Sequence, residues 1–550
     1  MPGGIVAAVA SPYRSGRATA PSVAGGDDGL VDALIQQFAD PLAFYRELVQ
    51  NAIDAGATRV SIGASWEASA EPGAGTMVVS VRDDGCGMSR QVLENQLTVL
   101  FRSGKEGQEG KIGKFGIGFV SVLALVPEKV VVRTTTGDTD MWTLELRSDQ
   151  SYELFQAPGG GSSGTTVTLH VPLARDEVDR FVDGSLRALR KWCRHAELPI
   201  HFVAHLVGEG EPLREARVDT PLSVEASISV RVEEGGTTVV AGVIEHGSPQ
   251  LAFFNRGLLL HETTEAVLGD HVRVSIQDGR LEHTLSRDSV RRDAHYANAM
   301  KLARRVIDRD LTRAVHEALP TSAAPDRVLA TALAAGLALD PERIELALMS
   351  GASESVQRLR RRDAVFAATA PSPLSEAASA AQVAILDLSV AADPARYLAA
   401  IAELLGAAPP SVEAALTLAS PVIESGSDLA LLDGVRELLG EVHRAPSEIR
   451  LVTLEGALSG ARLVSGVDAP PRVLTREEAT ENIFALIRRP PLWLDVTDPL
   501  VYAARAAATS RPSLAAAVLA RGILLDRGLL DDDRDDEWLE AAIERVGEGP

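Results

Sequence analysis

The chain has 550 residues, 45% hydrophobic and 24% charged, with a formal net charge of -22. That length exceeds one ordinary domain and suggests three or four, and no apolar run reaches the roughly eighteen residues that a membrane helix needs. The acidic balance opposes a general nucleic-acid coat while leaving a local basic groove open, and two cysteines, Cys86 and Cys193, cannot build a disulfide framework or a thiolate metal site, which suits a reducing cytosol.

In chain order, residues 1–27 read as a disordered tail, with a short apolar patch but no basic residue before it. Residues 28–205 alternate helical and strand patterns. Leu42, Tyr45, Leu48 or Val49, Ala52 and Ile53 follow a 3.6-residue period, and "RVSIGASW", "TMVVSVRD", "KVVVRTTT", "MWTLELRS" and "TTVTLHV" are β-branched and alternating. Their short connections predict a mostly antiparallel or mixed sheet with helices on one face. Residues 206–320 predict a second α+β unit that closes with a long helix over about 289–319. Residues 321–445 read as Ala/Leu-rich helices broken by Pro and Gly. Residues 446–550 hold one strand-bearing stretch, "EIRLVTLEG", more helix and an acidic end. The fold class expected is α+β: an α/β sandwich, a second α+β domain, and a mainly α-helical C-terminal region.

Four segments of the first domain carry chemistry. In "ELVQNAIDAGATRV", Glu47, Asn51 and Asp54 are four and three apart, so they project from nearly one stripe of a helix. A carboxylate there can orient or deprotonate water, and an amide oxygen can ligate a hard cation that keeps its waters; a solvated helix face ending at a Gly56 cap explains the same residues. In "VRDDGCGMS", a strand ends at Asp83, which can accept from an exocyclic amino group. Gly85 and Gly87 would allow a flat base close approach, and Met88 would supply an apolar wall; a plain Asp-Gly turn is the alternative. Cys86 reads as a small packing residue, with no histidine nearby in sequence. In "RSGKEGQEGKIGKFGIGFVSV", Gly113, Gly116 and Gly118 open an apolar helix whose amides could cradle phosphate, or the stretch is a flexible linker. In "SSGTTVTLHV", a Thr165 hydroxyl could steady Asp83, or simply start a strand.

The order Glu-x-x-x-Asn-x-x-Asp-Ala, Asp-x-Gly-x-Gly-Met, Gly-x-x-Gly-x-Gly-Phe and Gly-Thr resembles the Bergerat nucleotide-binding fold of the GHKL superfamily. The resemblance implies Glu47 as catalytic base, Asn51 as the magnesium-holding residue, and Asp54 as part of the pocket. It also implies Asp83 as the adenine reader with Gly85, Gly87 and Met88 around the ring, and Thr165 behind it. Gly113, Lys114, Phe115, Gly116, Ile117, Gly118 and Phe119 would be the phosphate-contacting lid hinge. "GKIGKFGIGFVSV" and "LTVLFRSGKE" look like the heat shock protein 90 branch, placing Arg102 near the phosphates. "RLEHTLSRDSVRRD" resembles the middle-domain turn of those chaperones and places Arg287 at the γ-phosphate; a helix cap or an Asp288 partner is its plain alternative. "FFNRGLLL" resembles a recurrent strand of such second domains, its role open.

The expected function is therefore a heat-shock-protein-90-like ATPase, slow in turnover, that drives a conformational clamp as a molecular chaperone. ATP and Mg2+ are the implied ligands. A homodimer, an unnamed client or partner protein and a cytoplasmic location are implied with them; a membrane partner is not, and nucleic acid is disfavoured but left open. The alternatives are a DNA-associated ATPase of the MutL or MORC type, and a nucleotide-gated protein-binding scaffold with negligible hydrolysis.

Overall fold

The computed structural model describes residues 40–97, 116–137, 140–148, 151–158, 161–284, 289–442, 445–466, 469–480, 491–530 and 535–540. Residue contacts divide the chain into two compact units. The first comprises residues up to 306 without 243–247 and 269–271, and those two short pieces group with 307–550 in the second. The expected tail over 1–27 lies outside the described residues.

The first unit holds two sheets. The larger has eight strands in the order β5-β4-β3-β6-β2-β1-β7-β8: β1 (Val60–Ala68), β2 (Gly75–Asp83), β3 (Lys129–Thr135), β4 (Asp140–Arg147), β5 (Tyr152–Pro158), β6 (Gly164–Pro172), β7 (Ile200–Leu206) and β8 (Arg214–Arg217). Every pairing is antiparallel except β1 with β7, as the short connections predict. Burial along β1 and β2 alternates, so one face of each strand enters the core and the other does not.

Helix α1 (Phe44–Asp54) and helix α3 (Val178–Cys193) cover that apolar face, with the short helix α2 (Gly116–Val120) between them in sequence. Phe44, Tyr45, Leu48, Val49 and Ala52 of α1 and Val178, Phe181, Val182, Leu189 and Cys193 of α3 share one cluster with Ile62, Met77 and Val79 of the sheet. The 3.6-residue spacing of these side chains is what makes each segment a helix with one buried stripe.

The second sheet has five strands in the order β12-β11-β13-β10-β9: β9 (Ile228–Glu234), β10 (Thr237–Val243), β11 (Gln250–Asn255), β12 (Leu258–Thr263) and β13 (Val272–Asp278). The helix expected from residue 289 starts at Ala294, as α4 (Ala294–Arg305). There the Asp293 carboxylate accepts from the backbone N–H of His295 at 2.9 Å and of Tyr296 at 3.1 Å, an N-cap that sets the first turn.

In the second unit, helices alternate with short strands, the first of them β14 (Glu345–Ala347), β15 (Ser353–Ser355), β16 (Val365–Ala368) and β17 (Ala384–Asp387). A five-stranded sheet of the order β20-β22-β19-β18-β21 is built from β18 (Leu416–Pro421), β19 (Ile449–Gly456), β20 (Leu463–Ser465), β21 (Arg472–Thr475) and β22 (Leu492–Asp495). Only β19 was legible as a strand in sequence. The helices Gly426–Val442, Pro499–Ala508 and Pro512–Asp526 share a core with it through Leu431, Leu451, Leu494 and Leu519. Among the described residues no helix is long and apolar enough to cross a membrane.

Candidate functional site

The site begins with how α1 is fixed. Asp40 accepts from Leu42 N at 2.9 Å ahead of the helix. At the other end Gly56, with φ +70°, donates to Ile53 O at 3.0 Å while Ala57 donates to Ala52 O at 3.0 Å. That pair of bonds is a Schellman end, and it needs the left-handed residue that glycine supplies. The apolar stripe packs on the sheet. A neighbouring stripe, which shares Leu48 with it, places Leu48, Asn51, Asp54 and Ala55 on the wall of a cavity of about 250 Å³.

The other walls come from strand ends. Val81 and Asp83 of β2, Cys86, Gly87 and Met88 of the following loop, Val92 and Leu97 after it, Val132 of β3, Phe119 of α2, and Thr165 and Val167 of β6 complete the lining. A mostly apolar slot with a few convergent polar groups is the usual construction of a small-molecule site. A larger groove, about 710 Å³, runs past His195, Arg217 and Asp219. Its charges already satisfy each other, with Arg217 and Asp219 at 2.7 Å, so the smaller cavity is the better candidate.

Adjacent carboxylates behave in opposite ways. Burial raises the Asp83 carboxyl above the usual range, and donation from the backbone N–H of Gly85 and Thr165 only partly offsets it. The Thr58 hydroxyl bond holds Asp84 below the usual range; its carboxylate accepts from Thr58 Oγ1 and Thr58 N at 2.7 Å each. Asp84 is therefore a clamp between the loop and β1, and Asp83 is the acid left facing the cavity. A half-buried carboxylate with an available oxygen suits a ligand that donates from an amino group.

The expected partner of Asp83 is different in detail. The Thr165 hydroxyl pairs with Thr134 Oγ1 at 3.0 Å, Thr134 Oγ1 accepts from Met88 N at 2.8 Å, and it is the backbone of Thr165 that reaches Asp83. Thr134 was missed because a threonine inside a strand carries no sequence signal of its own.

The glycines are required by close approach of protein to protein. A Cβ at Gly87, whose φ is +65°, would lie 2.0 Å from Thr135 O, and one at Gly85 would lie 2.7 Å from Ala55 Cβ. Gly118 abuts the helix acid: a Cβ there would lie 2.5 Å from Glu47 Oε2. Glu47 itself is buried, with Arg46 Nη1 3.5 Å from its Oε1.

Of the remaining expected residues, Gly116 and Ile117 fall within α2, where only the backbone is described. Arg102, Gly113, Lys114, Phe115 and Arg287 lie outside the described residues.

Two contacts were not foreseen. Arg46 of α1 is hydrogen-bonded to His283, in the segment after β13. Arg256, in the β11–β12 turn, places Nη1 3.2 Å from Asp54 Oδ1. That turn has φ +47° at Arg256 and +79° at Gly257, the two left-handed residues of a tight hairpin. Arginine in that conformation costs roughly 1–2 kcal/mol relative to glycine. Gly257 seats against the end of α3, where a Cβ would fall 1.7 Å from His195 O.

With this geometry in view, the comparisons with known proteins decide the domain type. Residues 45–156 match the family described as histidine kinase-, DNA gyrase B-, and HSP90-like ATPase. These residues form a GHKL domain. Proteins named chaperone protein HtpG are similar to the chain. The one from Rhodospirillum rubrum is 29% identical over 221 residues, which is 34% of this chain and 33% of the relative. The one from Gluconobacter oxydans is 27% identical over 31% of each chain, and the one from Methylococcus capsulatus is 30% identical over 29% of this chain and 28% of its own. The chain thus spans about a third of the length of the curated relatives it matches. The matched residues carry Asn51, Asp54, Asp83 and Cys86 of the cavity, and Thr165 and Val167 of β6 follow just beyond them.

The two thiols of the chain give a direct check on the cavity. Cys86 is exposed, not packed as its sequence context suggested, and it lines the cavity. Cys193 is fully buried, and burial pushes its thiol up to about 12. Iodoacetamide at neutral pH is expected to alkylate Cys86 and spare Cys193 in the folded chain, because the thiolate is the reacting form. An adenine nucleotide should slow Cys86 labelling, as followed by intact mass. Equal labelling of both thiols would contradict the assigned burial.

Proposed function

We propose that the chain binds ATP with magnesium in the cavity of the first unit and hydrolyses it slowly, as a heat-shock-protein-90-like chaperone that works as a conformational clamp. The carrying observation is that Asn51 and Asp54 of one helix face Asp83 across a slot of apolar residues, with Glu47 buried on the same helix outside the slot's lining. In this reading the adenine amino group donates to Asp83 and the ring lies against Met88, Val132 and Val167. The phosphates extend along α1 past Asn51, and Glu47 accepts a proton from the attacking water.

Among the described residues no cluster of three or more His, Cys, Asp or Glu side chains could hold a metal. An amide such as Asn51, together with phosphate oxygens and waters, is the donor set that suits magnesium. Bound there, the ion would neutralise charge on the phosphates. Asn51 would orient that end of the ligand and Arg46 would fix the Glu47 carboxylate. Arg287 is proposed as the cation for the γ-phosphate and Arg102 as a phosphate contact, with Gly113, Lys114 and Phe115 in the hinge around them. A homodimer, a client protein and a cytoplasmic setting belong to the same proposal.

Calorimetry of the full chain with ATP and magnesium is the test. Absence of binding heat from well-folded protein would refute the reading. A sharper test uses Gly118→Ala. The added methyl must displace the Glu47 carboxylate, which is buried and has little room to yield. Turnover is expected to fall by about 10- to 100-fold with ATP affinity nearly unchanged, since a shift of about 1 Å in a catalytic group costs that much. Unchanged kcat would remove Glu47 from the mechanism.

A further inference from the structure

We infer that Arg256 is a positioning residue that conveys occupancy of the cavity to residues 279–284, the segment that follows β13; the inference rests on the nucleotide reading above. Three consecutive residues, Asn255 at the end of β11 and Arg256 and Gly257 of the turn to β12, reach three separate parts of the first unit. Asn255 Nδ2 donates to Gly279 O at 3.2 Å and Leu281 O at 2.8 Å. Arg256 donates to Asp54 Oδ1 at 3.2 Å. Gly257 rests on the carbonyl of His195 at the end of α3. The turn is therefore a connector and more than a chain reversal.

The same segment is tied to α1 a second time, through His283 and Arg46. Helix α1 is thus held to residues 279–284 near its start, beside Glu47, and at its last residue, Asp54, by way of Arg256 and Asn255. Asp54 also lines the cavity. An anionic ligand entering there competes with the Asp54 carboxylate for the guanidinium, which recognises carboxylate and phosphate alike. Occupancy then changes the pair, and the turn carries the change to the carbonyls that Asn255 holds.

Stability does not account for an arginine at this position. Its ion pair with Asp54 is half-exposed on both sides, and such pairs contribute little. Its backbone is left-handed, a conformation in which asparagine or glycine would sit more easily. A strained residue at a position where two easier ones would fit points to what its side chain does.

The test exploits that strain. Arg256→Asn keeps a residue suited to the turn and removes the cation, so the protein should fold at least as well as the wild type. Hydrogen exchange of residues 279–284 would be followed with and without a non-hydrolysable ATP analogue and magnesium. In the wild type the analogue should change the exchange rate by about fivefold or more. Arg256→Asn should bind the analogue within about threefold of wild-type affinity, yet lose that response and lower kcat with little change in KM; Arg256→Lys should restore part of both. An undiminished exchange response in Arg256→Asn, with the analogue bound, would overturn the inference alone. If the wild type takes up no analogue, the nucleotide reading falls and the inference falls with it.

Discussion

Glu47→Ala protein is expected to bind ATP with nearly wild-type affinity and to lose about 100-fold or more in turnover, the loss typical of a removed general base. Two structural facts make the expectation specific. Glu47 is buried against Arg46 and Gly118, so no neighbouring carboxylate of α1 can take its place: Asn51 is not an acid, and Asp54 is engaged by Arg256 two helical turns away. Truncation also leaves Arg46 with its bond to His283, so the segment after β13 keeps its anchor. Single-turnover phosphate release measured beside a calorimetric titration separates the two quantities. Wild-type turnover in purified Glu47→Ala protein would remove the acid from the reaction.

Asp83→Asn carries the second large effect, on binding. The amide oxygen can still accept from Gly85 N–H, which now lies 2.9 Å from Asp83 Oδ1, so the loop should keep its shape. Burial disfavours the Asp83 charge, so removing that charge should leave thermal stability unchanged or raised. The amide N–H2 group, however, would face the amino group of adenine, two donors without an acceptor. A site built on one buried hydrogen bond rejects the mispaired partner by several orders of magnitude, and a loss of ATP affinity of at least ~100-fold is expected. The pH dependence follows in sign. Binding needs the ionised acceptor, and burial sets its titration above the usual carboxylate value of 3.8. Affinity should therefore be full at neutral pH and decline on acidification at a midpoint above 3.8. Wild-type affinity in Asp83→Asn would remove Asp83 as the adenine reader.

The parts of the molecule that could be read in sequence are those whose physics is local. Helix α1 and strands β1, β2, β3 and β6 follow from periodicity, because each has one buried face and a turn at its end. The cavity residues on α1 and after β2 were legible because they interrupt that periodicity with acids and glycines. Contacts between distant segments were not. Asp54 and Arg256 are 202 positions apart, and nothing at either position announces the other. Thr134, which engages the Thr165 hydroxyl expected at Asp83, went unread for the same reason.

In the second unit the strands escaped because they are short and some are buried on both faces. β22, for example, is four residues with none exposed. Such a run has no alternation to distinguish it from helix, and the surrounding Ala and Leu pull the reading towards helix. The start of α4 was misplaced because Ser289 and Asp293 are both capping residues; only Asp293 makes the cap.

The seat of Gly257 on the turn just after α3 carries one more implication. Clearance there is smaller than a methyl group, so the two sheets of the first unit interlock like a tenon in its mortise and are not beads on a string. A fragment cut between them would strip the shoulder of α3 of its cover and leave the hairpin with nothing to bear against. The natural boundary for dissecting this protein therefore falls after the second sheet, not between the two.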